Sequence, residues 1–251
     1  MSGSRLLPIA GALLVATAAL AAPASAQENE TLTDKGKLEQ TIRDYLLAHP
    51  EVIVEALEKY QAEQEKAAAE KQAQAIVERR DELTRAPDAP VLGNPDGNVT
   101  VVEFFDYRCP YCKTVAHTFI DLFEKDGNVR FVMKEFPILG EDSVFAAKAA
   151  LAAHMQGKYR EFHIALMDFK GKVTGADVRR LAADVGIDVA RLEKDMQSPA
   201  IIDSINRNLS LGEAIGVRGT PAFVIGDQMI PGAISAEDMQ KRIAAARNTQ
   251  G

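Results

Sequence analysis

Hydrophobic residues recur at helical spacing in the first third of the chain, on either side of His49-Pro50. These residues are Leu38, Ile42, Tyr45 and Leu46 before the dipeptide, and Ile53, Leu57 and Tyr60 after it. Because a proline disrupts the interior of a helix, we predict helical structure from Leu38 to about Arg85, interrupted or kinked at His49-Pro50. Beyond Tyr60 the apolar positions are mostly alanine, which is typical of a semi-rigid helical spacer.

This helical segment carries an apolar stripe with no obvious partner elsewhere in the chain. We therefore expect residues 38–88 to form a helical oligomerisation stalk and linker, preceded by a polar, disordered segment at 27–37. The alternative is that the helix folds back onto the domain that follows. A proline-containing stretch, Ala86–Pro90, separates the stalk from that domain.

Periodicity changes after Pro90, where two continuous apolar runs predict buried strands at Val99–Phe105 and Val129–Glu135. A helical pattern from Pro110 to about Lys125 lies between them, so the unit is expected to be a right-handed parallel crossover. Residues 91–250 are therefore predicted to form one α/β domain with a helical insert at about 141–215. The remaining predicted elements are helices at 143–156, 158–169, 176–185 and 189–216, a hairpin at 222–230 turning at Gly226-Asp227, and a last helix capped by Ser235.

The N-terminus has the features of a secretory signal peptide. Arg5 precedes an apolar core that ends in small residues, so we expect cleavage after Ala26 and export of residues 27–251. A retained membrane anchor is disfavoured because the apolar stretch is short for a bilayer. Arg5 is the only charged residue of the signal peptide. The chain that remains after cleavage therefore has 28 basic and 36 acidic residues and a net charge of −8, which argues against nucleic acid as a partner.

Cys109 and Cys112 are the only cysteines, and they form a CxxC pair directly after a predicted strand. Pro110 falls at the first position of the following helix, where its missing N–H costs nothing, and the helix N-terminus favours a thiolate on Cys109. These features predict a redox-active dithiol with no further cofactor. A structural disulfide would close a very short loop, and a zinc site would need two more ligands, so both alternatives are weaker and no metal ligand is predicted.

The order of these elements resembles a thioredoxin fold with the large helical insert of the DsbA branch. The resemblance covers residues 95–250 and is carried by the segment 104–113 with its Cys-Pro-Tyr-Cys motif and by Gly219-Thr220-Pro221. The run Tyr45–Ile53 is similar to the N-terminal extension of ScsC-type proteins, periplasmic relatives of DsbA that include trimeric disulfide isomerases linked to copper tolerance. The fold implied is a thioredoxin fold preceded by a helical stalk.

The two cysteines have different expected roles. Cys109, at the helix start and partly exposed, is expected to be the nucleophile, and Cys112, one turn inward, the resolving thiol. Glu103 lies in a strand that is covered on both faces, so its pKa should be raised. The resemblance implies that Glu103 exchanges protons with the buried cysteine; an ion pair with Lys134 is the alternative.

The resemblance also implies a substrate-binding surface around the cysteines. Pro221 corresponds to the cis-proline opposite the CxxC, and Thr220 is expected to present its backbone to a substrate strand. Tyr111 stands where DsbA usually has histidine, and Thr220 where DsbA has valine. The first departure favours a less oxidising site than that of DsbA, because an imidazole near the thiolate helps to stabilise it. Thr220 resembles the residue before the proline in disulfide isomerases, and because DsbA lacks the helical extension, its monomeric oxidase role does not transfer automatically.

We therefore expect a periplasmic disulfide isomerase or reductase that acts on exported proteins. The resemblance implies a membrane thiol electron donor, a homo-oligomer such as a trimer, and a connection with copper tolerance. Two alternatives remain open at this stage: a DsbA-type oxidase, and a periplasmic protein that binds copper or zinc through its two thiolates.

Overall fold

The structure, a computed structural model, describes residues 25–171 and 173–249, and the chain divides into two compact units at 1–63 and 64–251. The predicted signal peptide falls outside the described residues except for Ser25 and Ala26. Within the described ranges, no helix has the length and apolar character needed to cross a bilayer.

The described part of the first unit is helical. Helix α1 spans Ser25–Ala48 and helix α2 begins at Glu51, so the predicted interruption at His49-Pro50 is confirmed. The expectation that residues 27–37 are disordered is wrong, since they lie within α1. Glutamate, glutamine and lysine have high helix propensity, so a polar segment can be helical without an apolar face to bury. The large apolar side chains that α1 and α2 expose in this unit are Leu38, Ile42, Tyr45, Leu47, Ile53, Val54, Leu57 and Tyr60.

The second unit starts earlier than the sequence predicts. Helix α2 ends at Glu78 and a short helix, α3, spans Arg80–Thr84, yet both contribute to the second unit. Ile76 and Leu83 are buried in the cluster formed by the sheet residues Val102 and Val132. The expected boundary, with a stalk through residue 88, is therefore corrected: residues 64–88 belong with the domain because Ile76 and Leu83 complete its core.

Five strands form the central mixed sheet in the order β1-β3-β2-β4-β5. Their bounds are β1 Val91–Gly93, β2 Val99–Phe105, β3 Val129–Glu135, β4 Ala222–Ile225 and β5 Gln228–Pro231. The predicted parallel pairing of β2 and β3 is confirmed, and the other neighbours are antiparallel. Gly226 has φ +65°, as the predicted two-residue hairpin turn requires. Strand β1 has only three residues, too few to produce a recognisable periodicity.

Helices cover both faces of this sheet. They are α4 Pro110–Asp126, α5 Glu141–His154, α6 Tyr159–Asp168, α7 Gly175–Asp184, α8 Val189–Asp195, α9 Pro199–Ala214 and α10 Ala236–Thr249. Five of them, α5 to α9, lie between β3 and β4, where the sequence predicts the insert. Helix α4 begins at the carboxyl end of β2, which places its N-terminus where a βα unit commonly holds its functional residues.

Candidate active site

Cys109 is the N-cap residue of α4. Its backbone is extended, with φ −74° and ψ 117°, and its Sγ accepts a hydrogen bond from the backbone N–H of Cys112 at 3.4 Å. Pro110 occupies the first helical turn, as predicted. The unpaired N–H groups of this turn therefore point toward the sulfur, an arrangement that stabilises negative charge.

The loop Thr220-Pro221 covers the same sulfur from the other side. Its peptide bond is cis, as the resemblance implies, and the Thr220 carbonyl oxygen lies 3.1 Å from Cys109 Sγ, where it can accept a hydrogen bond only while Cys109 is protonated. The sequence predicts a partly exposed Cys109, but Cys109 is only 4% exposed because this loop covers it. Cys112 is 0% exposed, as expected for the buried cysteine.

The two thiols are held in opposite protonation states. Hydrogen bonding with Cys112 is the main cause that lowers the pKa of Cys109 to about 5; burial opposes this effect, and the Thr220 side chain and backbone N–H groups support it. Burial raises the pKa of Cys112 well above its ordinary value, and the negative charge of Glu103 acts in the same direction. Near neutral pH the site therefore holds one thiolate and one thiol.

Glu103 lies in the middle of β2 and is buried. Burial, followed by the charge of Cys109, raises its pKa to about 8. In the parallel register Glu103 is opposite Met133 and Phe104 is opposite Lys134, so Glu103 and Lys134 occupy opposite faces of the sheet. The alternative of a Glu103–Lys134 ion pair is therefore wrong: Lys134 donates instead to the Glu82 carbonyl at 2.8 Å.

Asp106 organises the loop between β2 and the first cysteine, a role that the sequence reasoning missed. Its carboxylate accepts from the Arg108 N–H at 2.7 Å, the Ser143 hydroxyl at 2.8 Å and the Leu139 N–H at 3.0 Å. Its carbonyl accepts from the Cys109 N–H at 3.0 Å. An aspartate that directly follows a buried strand is the signal that could have identified it, because aspartate commonly caps turns through its own carboxylate.

A groove of about 480 Å³ lies beside the cysteines, between α4 and the C-terminal end of α6. Lys113 lines this groove, and its ammonium donates to three carbonyl oxygens at the end of α6: Leu166 at 2.8 Å, Met167 at 3.2 Å and Phe169 at 2.8 Å. Tyr111, at the start of α4, is 66% exposed. The residues on either side of Cys109 in the chain, Arg108 and Pro110, line this groove, and the exposed Tyr111 ring follows them, which is the kind of surface a polypeptide substrate can contact.

Four further buried polar side chains lie behind the site, and sequence reasoning assigned none of them a role: Tyr107, Glu135, Tyr159 and His163. They are joined by hydrogen bonds described below. Glu135 is a carboxylate at the end of a strand whose other positions are mostly buried, which is the sequence signal for it. Among the residues that the structure describes, no group of three or more His, Cys, Asp or Glu side chains is placed to hold a metal ion.

Two family models match this chain. The DSBA-like thioredoxin domain matches residues 100–244, which include both cysteines and Pro221. The copper resistance protein ScsC N-terminal domain matches residues 34–67.

Similar solved structures agree with both matches. A thioredoxin-like oxidoreductase from Silicibacter pomeroyi is 48% identical, with a TM-score of 0.66, over 67% of this chain and 98% of that one. BcfH of Salmonella enterica Typhimurium is 29% identical, with a TM-score of 0.73, over 88% and 99%. A linker-deletion mutant of Proteus mirabilis ScsC is 26% identical, with a TM-score of 0.68, over 93% and 100%.

The chain also matches one part of a longer protein of a different kind. The Na⁺/H⁺ antiporter NhaA of Herminiimonas arsenicoxydans is 28% identical over 158 residues, which are 62% of this chain but 25% of the antiporter. The chain thus spans about a quarter of that protein's length.

Proposed function

This chain belongs to the DsbA-like thioredoxin domain family of oxidoreductases, and from that premise we propose that it isomerises or reduces disulfides in exported proteins. The observation that carries the proposal is the asymmetric cysteine pair. Cys109 has a pKa of about 5 and sits at a helix N-terminus beside a groove, while Cys112 is fully buried as a thiol. Thiol–disulfide exchange needs these two states together.

The reaction begins when the Cys109 thiolate attacks a sulfur of a substrate disulfide. A mixed disulfide forms and the other substrate sulfur leaves as a thiolate, so no electron is lost. In isomerisation, that released thiolate or another substrate thiolate attacks the mixed disulfide, which regenerates Cys109.

In reduction, Cys112 attacks Cys109 instead, and Glu103 is the group positioned to accept the Cys112 proton. The oxidised pair must then be reduced by a dithiol donor, for which a membrane thiol protein is proposed.

The first unit supports isomerisation over simple oxidation. It matches the ScsC N-terminal domain and exposes eight large apolar side chains, and a second copy of the chain would cover the stripe formed by those that recur at helical spacing. Homo-oligomerisation, in a trimer or another closed form, would place several Cys109 thiolates around one misfolded client and raise their effective concentration. The similarity to the N-terminal domain of the copper resistance protein ScsC also leads us to propose a role in copper tolerance, through isomerisation of incorrect disulfides.

The proposed location is the periplasm. One similar structure, 28% identical to this chain, is a periplasmic thioredoxin-like protein from Salmonella enterica serovar Typhimurium. The predicted signal peptide and the use of both cysteines in one redox motif support the same location.

The decisive experiment removes the first unit without damaging the second. Deleting residues 27–63 leaves Ile76 and Leu83 in the core, whereas a cut at residue 85 would remove both. We expect the full mature chain to refold a protein with scrambled disulfides, and the deletion variant to do so slower by on the order of 10-fold or more. Reduction of a small disulfide should be unchanged, because it needs only the second unit. Equal isomerase activity in both proteins would contradict the proposal.

Two point substitutions, which disturb the chain less than the deletion, test the apolar stripe directly. Ile42→Glu with Leu57→Glu should lower the mass measured by light scattering to that of one chain, because charges would be buried between copies. Ala62→Glu, on the opposite side of α2 from Leu57, is the matched control and should keep the oligomer. A single-chain mass for the unmodified protein would refute the oligomeric arrangement.

A DsbA-type oxidase is the second candidate, and the low pKa of Cys109 favours it. A stabilised thiolate stabilises the reduced form, which makes the disulfide more oxidising. The reduction potential of the Cys109–Cys112 pair decides between the two functions. A potential close to that of strongly oxidising family members supports the oxidase, and a lower one supports the isomerase or reductase.

A further inference from the structure

Behind the cysteines, three hydrogen bonds join four buried side chains. Glu135 Oε1 accepts from the Tyr159 hydroxyl at 2.9 Å and contacts the Tyr107 hydroxyl at 3.1 Å. The same Tyr107 hydroxyl lies 3.0 Å from Nδ1 of His163. All four side chains are buried, and these contacts offer a path for protons among them.

This network can hold its hydrogen bonds in two protonation states. With Glu135 ionised, both phenols donate to it and His163 Nδ1–H donates to the Tyr107 oxygen. With Glu135 protonated, Glu135 donates to Tyr107, Tyr107 donates to His163 Nδ1, and the imidazole carries its proton on Nε2. The second state has one proton more, yet the same three contacts remain satisfied.

The change between the two states follows a single relay. A proton arrives at Nε2 of His163, the Nδ1 proton passes to Tyr107, and the Tyr107 proton passes to Glu135. His117 is the ionisable group whose charge acts on His163; it is exposed on α4 and contacts Asp168 Oδ1 at 2.6 Å. A solvent-accessible imidazole thus acts electrostatically on the first group of the relay.

The network lies on the same face of the sheet as the redox chemistry. Glu135 is opposite Phe105 in the register, and Glu103, two residues earlier in β2, shares that face. Glu103 interacts electrostatically with both cysteines and with Glu135. The other charged group acting on Glu135 is Asp106, and the packed neighbours of His163 include Phe105. Extra negative charge on this face therefore favours the protonated state of Glu135.

We propose that Glu135, with Tyr107, Tyr159 and His163, forms a second proton-binding site coupled to the redox pair, which gains a proton when the disulfide is reduced. Reduction by a dithiol breaks the Cys109–Cys112 bond with two electrons and one proton, leaving a thiolate on Cys109 and a thiol on Cys112. The new negative charge draws a further proton through His163 onto Glu135, and oxidation releases it. Glu135 thus acts through the charge that it gains or loses. Glu103 has a different role, which is to accept the proton of Cys112.

Burial acts in opposite directions on the pKa values of the carboxyl and the imidazole in this network. It raises the pKa of Glu135 well above its ordinary value and lowers the pKa of His163 to about 3. His163 therefore remains neutral and can act as a relay between its two tautomers, whereas the carboxyl is the group that stores the proton.

The test is redox-induced difference infrared spectroscopy on the mature protein, cycled with dithiothreitol and its oxidised form. We expect reduction to produce a carboxylic-acid C=O band that shifts in D₂O, is absent in Glu135→Gln and persists in Glu103→Gln. The matched control Tyr159→Phe removes one donor but leaves the relay through Tyr107 intact, so its band should persist with a shift. Redox titration over a pH series should show that Glu135→Gln loses up to about one proton per two electrons.

The outcomes separate this inference from the proposed function on which it rests. If the unmodified protein cannot be cycled between dithiol and disulfide, the proposed function fails. If it cycles but shows no carboxylic-acid band, or if Glu135→Gln keeps both band and proton count, this inference alone is wrong. The unmodified protein and Tyr107→Phe, which should lose the band because the relay is cut, decide the matter even if Glu135→Gln does not fold.

Discussion

The two faces of the central sheet each bury charged side chains and use them differently. On the face under α4, Glu103 and Glu135 lie among aromatic side chains close to the thiols. On the opposite face, Lys134 donates to the Glu82 carbonyl and lies beside the apolar cluster of Ile76 and Leu83. Neighbouring residues of one strand thus serve reaction chemistry on one side and attachment of the α2–α3 segment on the other.

This comparison shows how alternation along a strand separates two tasks within a few residues. The carboxyl groups remain unpaired with the nearby lysine because the pleat directs them to opposite faces. Their pKa values stay raised as a result, since an ion pair would have lowered them. The separation predicts that changes on one face should leave the properties of the other almost unchanged.

The largest expected effect is on the attachment face. Leu83→Ala should lower the free energy of unfolding by about 2–5 kcal/mol, because Leu83 is fully buried and its removal leaves a cavity. Chemical denaturation measures this loss. The pH dependence of Cys109 alkylation should not change, and a shifted alkylation midpoint would show that the two faces are not independent.

On the redox face, Glu103→Gln should slow the attack of Cys112 on the mixed disulfide by on the order of 100-fold, because the variant lacks the proton acceptor. Stopped-flow measurement of single turnovers with a peptide disulfide follows this step separately from the first attack by Cys109. The matched control is Lys134→Met, which lies on the opposite face and should keep both rates. Equal slowing of both steps would contradict the assigned role of Glu103.

Stability should depend on pH with opposite signs for the two faces in the oxidised protein, in which the cysteines do not titrate. In this state Cys109 carries no charge, and burial alone raises the pKa of Glu103 above its ordinary 4.5, so the native state binds more protons and stability falls as pH rises from 4.5 to the raised pKa. The pKa of Lys134 is lowered by burial from 10.5 to about 8, so stability rises as pH increases from about 8 to 10.5.

Urea denaturation across pH measures both slopes. Glu103→Gln should abolish only the first and Lys134→Met only the second. A variant that removes both slopes would indicate that the two groups titrate together through the sheet.

The smallest effect is expected at Thr220. Thr220→Val removes the side-chain hydrogen bond that helps to lower the pKa of Cys109, while the carbonyl contact at 3.1 Å remains. The alkylation midpoint of Cys109 should therefore rise by a fraction of a pH unit, because Cys112 and the helix N-terminus still stabilise the thiolate. A midpoint that stays the same would assign no part of the thiolate stabilisation to this hydroxyl.

Much of this arrangement could be predicted from the sequence because its signals are local. The apolar runs of β2 and β3, the turn at Gly226-Asp227 and the position of Cys109 at a helix start each follow from a few adjacent residues. Glu103 was recognisable because a single carboxylate interrupts an apolar strand. These features do not depend on which distant segment packs against them.

What could not be predicted depends on contacts between distant segments. The docking of Ile76 and Leu83 requires knowing which sheet face is left uncovered, and the alanine-rich sequence around them indicates only a helix. The Glu135 network joins residues from the loop after β2, from β3 and from α6, and nothing in their spacing indicates that they meet. Cys109 was expected to be more exposed because the covering Thr220-Pro221 loop lies more than a hundred residues away.

Lys113 makes the helical insert inseparable from the redox helix. Its ammonium, placed immediately after the resolving cysteine, is satisfied by three carbonyl oxygens that all belong to the end of α6. In a minimal enzyme from which α5 to α9 had been deleted, this ammonium group would lie beside Cys112 without its three hydrogen-bond acceptors. Any trimmed version must therefore replace Lys113 together with the insert, which makes this position the natural starting point for redesigning the scaffold.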